Sequence, residues 1–255
     1  MTGEPPSTTV EGAKDGYTAL REGAAWIDLS SRGRIQVRGE DRVRLLHAMT
    51  TQHIEQLQPG GGGYAFFLNA QGRILADVNL FRLEEYILLD TEPETRRKVF
   101  EHLDRYIIAD DVTLEDVTDV TAEIAIEGPL AATVLARLGA PVPDAPYATN
   151  AWGDRLVAHV SSTGSDGFAV VLPRVAKEEF IRLLGEIPEA TPEQARIVRI
   201  EQGRPRYGED ITERYLAQET AQLNAVHFNK GCYLDRKSTR LNSSHIQKSR
   251  MPSSA

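Results

Sequence analysis

The chain has a single cysteine, Cys232, in 255 residues, so no internal disulfide can staple it. Long apolar runs are absent, and the first sixteen residues, MTGEPPSTTVEGAKDG, lack the charged-then-apolar pattern of a secretory signal. Together these absences point to a cytoplasmic setting with no membrane span. Basic residues are in deficit: Lys and Arg number 29 against 37 Asp and Glu, a net charge of -8. That balance speaks against a broad nucleic-acid or anionic-membrane surface, yet leaves room for a small anionic ligand bound locally.

Other familiar signatures are missing too. Pro59 to Tyr64, PGGGGY, does not have the G-x-x-x-x-G-K-[ST] spacing of a phosphate loop and follows a helical pattern, so it reads as a flexible connector. His47 and His53 are six residues apart, which on one helix places them on different sides, and no His, Cys or carboxylate set has metal-ligand spacing. No protein-held metal is expected. Gly164-Ser165-Asp166-Gly167 is a hairpin turn rather than a G-x-S-x-G nucleophile elbow.

What is present is about two-fifths hydrophobic residues, enough for one large core or two smaller ones. Gly39-Glu40-Asp41 introduces a helix at RVRLLHAM. Residues 64 to 90 alternate as a three-stranded antiparallel meander, and TRRKVFEHLDRY forms a second helix. Strands follow at VTLEDV and AEIAIEG. A third helix, LAATVLARLG, opens after Gly128-Pro129. Strands at DRLVAHVS and GFAVVL precede helices at VAKEEFIRLLG and PEQARIVRIEQG, the last with Thr191 as N-cap, Pro192 at its first position and Gly203 at its stop. Short antiparallel clusters mixed with helices indicate an α+β fold.

Two stretches carry chemistry. In Arg199-Ile200-Glu201-Gln202-Gly203-Arg204-Pro205-Arg206-Tyr207-Gly208, Arg199 and Glu201 lie two positions apart on a helix, on different faces. One of the two must therefore point inward. In Gly72-Arg73-Ile74-Leu75-Ala76-Asp77-Val78-Asn79, strand alternation groups Arg73, Leu75 and Asp77 on one face, so Asp77 shares a face with an apolar residue and is a candidate for partial burial.

The order GYTALREGAAWIDLSSRGRIQVRGEDRVRLLHAMTTQHI, then PG-x-x-x-Y-x-x-x-L-x-x-x-GRI-x-AD, IEGP, G-x-x-G, R-x-E-x-G-x-P-x-Y-G-x-D and NKGCY resembles the aminomethyltransferase-like folate-binding family. That family includes the glycine cleavage T-protein and YgfZ-type proteins of iron–sulfur cluster maintenance, and Lys230-Gly231-Cys232-Tyr233 resembles the YgfZ branch. The resemblance covers residues 17 to 234. It implies two interlaced subdomains of antiparallel sheets packed with helices and a ligand cleft between them, the C-terminal β-barrel domain of the family being missing. Residues 1 to 16 would form a flexible N-terminus. Residues 235 to 255, rich in Ser with five Lys or Arg against one Asp, depart from the family pattern and read as a disordered, extraneous tail. A nucleic-acid arm there would have scattered charges and no interleaved aromatics.

The resemblance further implies tetrahydrofolate as the ligand. Glu201 would receive the pterin edge, whose adjacent N–H donors suit a carboxylate, and Asp77 would sit by the reactive nitrogens to orient or deprotonate an amine. Arg199, Tyr207, Lys230 and Tyr233 would complete the binding set, the tyrosines beside the rings or in the core. Cys232 is the second candidate for chemistry: a lone cysteine is commonly a small buried hydrophobe, but Lys230 two residues away would favour its thiolate. The first functional expectation is a folate-binding accessory of iron–sulfur cluster assembly or repair that supports client proteins such as tRNA-modifying enzymes. The alternative is a tetrahydrofolate-dependent aminomethyltransferase.

Overall fold

The computed structural model describes residues 15–230. Its strands form two five-stranded antiparallel sheets, and the chain crosses between them early. The first sheet runs in the order β1 (Ala25–Asp28), β7 (Thr121–Glu127), β10 (Gly167–Pro173), β9 (Arg155–Ala158), β8 (Thr149–Trp152). The second runs β3 (Gly62–Leu68), β4 (Ile74–Arg82), β5 (Tyr86–Thr91), β2 (Gly33–Arg38), β6 (Thr113–Asp116). Because β1 belongs to the sheet of the later half and β2 to the sheet of the earlier half, the two lobes are interlaced, as expected.

Helices cover the outer faces. The helices α2 (Arg42–Met49) and α3 (Arg96–Tyr106) lie over the second sheet, where Leu46, Val99 and Leu103 bury against Ile35, Phe67, Val78 and Leu89. The helices α4 (Ala131–Arg137) and α5 (Lys177–Leu184) bury Leu135 and Phe180 against Ile124, Ile126, Val157 and Val170 of the first sheet. A third pair, α1 (Gly16–Glu22) and α6 (Pro192–Glu201), packs Leu20 and Val198 against Ile27 and Ala125. Fully buried leucine-sized side chains are each worth about 1.5 to 3 kcal/mol, so these layers carry most of the stability. A cluster of Phe81, Leu88, Leu156, Ala158 and Ala169 joins the lobes. None of the helices among the described residues is long and apolar enough to cross a membrane.

The meander holds, with two differences from the strict pattern. The strand β3 starts at Gly62, inside the run read as a loop, because Gly62 pairs with Phe81 and a Cβ there would lie 2.3 Å from the Leu80 carbonyl oxygen. On β4 the register shifts, with Phe67 opposite Ala76 and Leu68 opposite Ile74, leaving Leu75 as an extra residue. This bulge breaks the alternation. Leu75 packs into the cluster under α2 and α3 together with Ala76 and Val78, while Ile74 joins Tyr64, Phe66 and Tyr207 on the other side.

Arg34 of β2 is fully buried where the lobes meet. Its guanidinium donates to Thr121 Oγ1 at 2.7 Å and to the carbonyl oxygens of Ser30, Arg32 and Thr118 at 3.0 Å each. Glu123 of β7, in the other sheet, stands 3.5 Å from it. A buried charge is tolerated only with such complete pairing, so this cluster fixes how the sheets meet.

Candidate functional site

Between the lobes lies a cavity of about 410 Å³, within the range of small-molecule sites. Strand β4 supplies its floor through Asp77 and Asn79, with Tyr64 from the paired strand β3 beside them. Asp77 is 8% exposed, and Tyr64 donates its hydroxyl to Asp77 Oδ2 at 2.8 Å. The other carboxylate oxygen, Oδ1, is buried without a hydrogen-bond partner among the described residues. Burial, and next the negative charge of Glu92, push the carboxyl up to about 6, against the pull of the Tyr64 hydrogen bond and Arg32. Asn79 repeats the arrangement: its amide donates to Asp90 Oδ2 at 2.8 Å and its Oδ1 is buried and unpaired.

One wall is held by charge. Arg32 makes a two-pronged contact with Asp90, Nε to Oδ1 at 2.7 Å and Nη2 to Oδ2 at 3.0 Å, and its Nη1 reaches Glu92. Burial works against its charge, but Asp90 and Glu92 hold its pKa well above the usual value. Glu123, also lining the cavity, is raised above the usual carboxylate range, by burial first and then by Asp90. Ser161 to Thr163 also line the cavity. Glu127 at the end of β7, fully buried, organises this segment by accepting from Ser161 Oγ at 2.8 Å, Ser162 N at 2.6 Å and Thr163 N at 3.0 Å.

Helix α6 and the segment after it close the rim. Thr191 caps the helix as the sequence indicates, with Gln194 completing a capping box, and Gly203 at φ 65° ends it. Of the two charged residues on different faces, Arg199 is the one that turns inward. Its side chain is 7% exposed, donates to Glu209 Oε2 at 2.7 Å and to Asp210, and lines the cavity. Arg206 ties this segment back to Glu92 at 2.8 Å and Glu94 at 2.9 Å.

The structure thus brings Asp77 and Arg199 to one cavity and leaves the other described candidates outside it. Glu201 is placed elsewhere. It faces away from the cavity because it stands two positions from the inward-turned Arg199, and its carboxylate takes hydrogen bonds from Tyr17 (2.9 Å) and Arg21 with 38% of the side chain exposed. Tyr207 is 7% exposed within an apolar cluster, not on the cavity wall. Lys230 does not line the cavity either: it is 1% exposed and donates to the carbonyl oxygens of His47, Thr50 and Gln52 at 2.5 to 2.7 Å. Cys232 and Tyr233 lie outside the described residues.

Tyr64, Asn79, Arg32, Asp90 and Ser162 also line the cavity and are not among the sequence candidates. Tyr64 and Asn79 had a local signal, since both flank Asp77 in the meander and share its register. Arg32, Asp90 and Ser162 had none, because only the pairing of distant strands brings them together.

The GCVT N-terminal domain model matches residues 5–230. The chain belongs to that family. Among curated relatives of the GCVT N-terminal domain, a chloroplastic protein of Arabidopsis thaliana named for a transferase is 31% identical, over 84% of this chain and 52% of that one. An aminomethyltransferase of Rubrobacter xylanophilus is 30% identical, over 86% of this chain and 61% of its own length. The chain therefore spans between half and two thirds of the curated relatives it matches. In three dimensions it resembles the glycine cleavage system aminomethyltransferase T from Bartonella henselae, with a TM-score of 0.82 and 25% identity, covering 93% of this chain and 67% of that one.

Proposed function

We propose that this chain is the ligand-binding portion of a tetrahydrofolate-dependent aminomethyltransferase of the glycine cleavage type. The observation that carries the reading is the pair of buried, unpartnered acceptors on the cavity floor, Asp77 Oδ1 and Asn79 Oδ1. Buried acceptors left unpaired cost about 1 to 3 kcal/mol each, a cost that a ligand rich in N–H donors would remove. A reduced pterin has such donors on its ring and exocyclic amine, so the residues present fit the group. Tetrahydrofolate, when bound, supplies the amine nitrogens that take up a one-carbon unit.

The chain's own part is positional and acid–base. Asp77, with its carboxyl near pKa 6, is largely ionised at neutral pH and accepts a hydrogen bond or a proton at Oδ1. Tyr64 fixes Oδ2 and so aims Oδ1. Arg32 holds Asp90, which in turn holds the Asn79 amide and leaves its carbonyl oxygen presented to the ligand. Relatives named aminomethyltransferase support this reading over the iron–sulfur accessory role. That role rests on Lys230-Gly231-Cys232-Tyr233, of which only Lys230 is among the described residues, where it donates to the carbonyl oxygens of His47, Thr50 and Gln52. A cytoplasmic setting goes with the proposal on the strength of the lone cysteine.

Titration of tetrahydrofolate into the full chain, followed by intrinsic fluorescence, tests the reading. Loss of a hydrogen bond to a charged group costs about 1.5 to 3 kcal/mol, so Asp77→Ala should weaken binding about ten- to a hundred-fold. Glu201→Ala should bind as the parent does. Equal affinity in the Asp77 variant, or no binding by the parent, sinks the assignment. Methylenetetrahydrofolate formation from an aminomethyl donor then tests the transfer itself.

A further inference from the structure

Outside the cavity, three of the histidines gather at one place that the sequence spacing disguises. The helix α2 ends at Met49, so His47 and His53 do not share a helix. The chain turns back through an extended Thr50 into a 3₁₀ turn, Ile54–Gln56, bringing the His53 ring to 4.6 Å from that of His47, centroid to centroid. His227, from a distant segment, places its ring 5.0 Å from His53. His47 Nε2 lies 3.8 Å from Glu55 Oε2, and one ligand atom from each of His47, His53 and Glu55 lies within 4.8 Å of the other two.

The backbone around these side chains is pinned. Lys230 Nζ ties the carbonyl oxygens of His47, Thr50 and Gln52 together. The His227 amide donates to the Thr51 carbonyl oxygen at 2.9 Å, and Thr51 Oγ1 donates to that of Ala225. Each of the three rings keeps a buried Nδ1 that no group among the described residues pairs. His102 and His159 also leave a ring nitrogen unpaired, but each stands apart, packed against Phe67 and Tyr106 or stacked on Phe168. Clustering distinguishes the first three.

We propose that His47, His53 and Glu55 form a binding site for a divalent transition ion of the zinc class, with His227 beside the fourth position. Imidazole nitrogens and one carboxylate oxygen are ligands that suit zinc, which holds them at about 2.0 to 2.2 Å. Tetrahedral ligand atoms at that radius are about 3.4 Å apart, so side-chain shifts of about an ångström close the cluster on an ion. Glu55 is half-exposed and gives the ion a path from solvent, and its charge faces the His47 ring. The ion would clamp the end of α2 to the segment that carries His227. None of these residues lines the cavity, so the inference stands apart from the proposed folate chemistry.

Calorimetric titration of the full chain with Zn²⁺ is the test, with Co²⁺ as a spectroscopic probe. One equivalent of Zn²⁺ should bind, and Co²⁺ should give the intense visible bands of four-coordination. His53→Ala and Glu55→Gln should each weaken Zn²⁺ at least roughly ten-fold. Cys232→Ser should leave the affinity intact. Because Glu55 is exposed, its amide variant folds even if the histidine variant does not, and circular dichroism checks both. No stoichiometric Zn²⁺ in the parent, unchanged affinity in a folded Glu55→Gln, or loss of binding in Cys232→Ser overturns the site.

Discussion

Asp77 and Glu201 are both carboxylates in charged, glycine-flanked stretches, and family resemblance assigns both to one ligand. In the structure they part. Asp77 lies under a sheet-to-sheet interface, keeps one oxygen unpaired and has its carboxyl raised to about 6. Glu201 lies on the outer side of α6 and has two partners from α1. The difference shows that cover, more than residue type or motif, makes an acid chemically useful. A carboxylate in solvent with an arginine on it is satisfied, whereas one sealed against a second acid is not.

The largest way to break the interior side of this contrast is to remove Arg34. Arg34→Ala would leave Glu123 buried beside Asp90 with less counter-charge and would free carbonyl oxygens at the junction of the sheets. A loss of about 3 to 5 kcal/mol is expected, read as a fall in the urea midpoint at neutral pH. A small change would mean that the lobes do not depend on that cluster.

The second effect is the pH dependence that Asp77 confers. Its folded pKa, about 6, exceeds the ordinary 3.8, so the native state binds this proton more tightly than the unfolded state. The associated stability is present below about pH 4 and is lost as pH rises through 6. The span of the two values corresponds to about 3 kcal/mol. Asp77→Asn should therefore gain on the parent between pH 4 and 6 and hold that gain above. Urea midpoints of both proteins from pH 4 to 8 give the curve, and a constant difference across that range would contradict the burial argument.

How far such contrasts are legible in sequence depends on where the partners come from. The meander, α2 and the Thr191 N-cap follow from local periodicity and turn chemistry, and they hold. The inward turn of one member of the Arg199/Glu201 pair was also readable from helical geometry. Which member turns was not, since Glu209 and Asp210 select Arg199 only once the following segment folds back. Likewise the bulge at Leu75 and the neighbours Arg32 and Asp90 depend on strand pairing across the fold. The histidine cluster is hidden in the sequence because a spacing of six reads as two sides of one helix, whereas the helix ends at Met49.

A smaller effect separates the two oxygens of Asp77. Tyr64→Phe removes the donor on Oδ2 while keeping the ring in its cluster with Phe66 and Tyr207. The carboxylate then loses its hydrogen-bonded partner, so the carboxyl should rise above 6 and the pH-dependent loss should move upward in pH. The expected destabilisation is about 1 to 2 kcal/mol at neutral pH. Stability profiles that superimpose with the parent's would mean the hydroxyl does not hold the carboxylate.

The exterior side should yield almost nothing, and that is its value. Arg21 and Glu201 are 43% and 38% exposed, so water replaces either partner readily. Arg21→Ala should leave the urea midpoint and the tetrahydrofolate affinity where they are. Yet the same substitution frees Glu201 from one of its two donors. If affinity were to rise or fall with Arg21→Ala, Glu201 would be exchanging between its α1 partners and the ligand, and Asp77 would no longer be the only acid of the two that meets it.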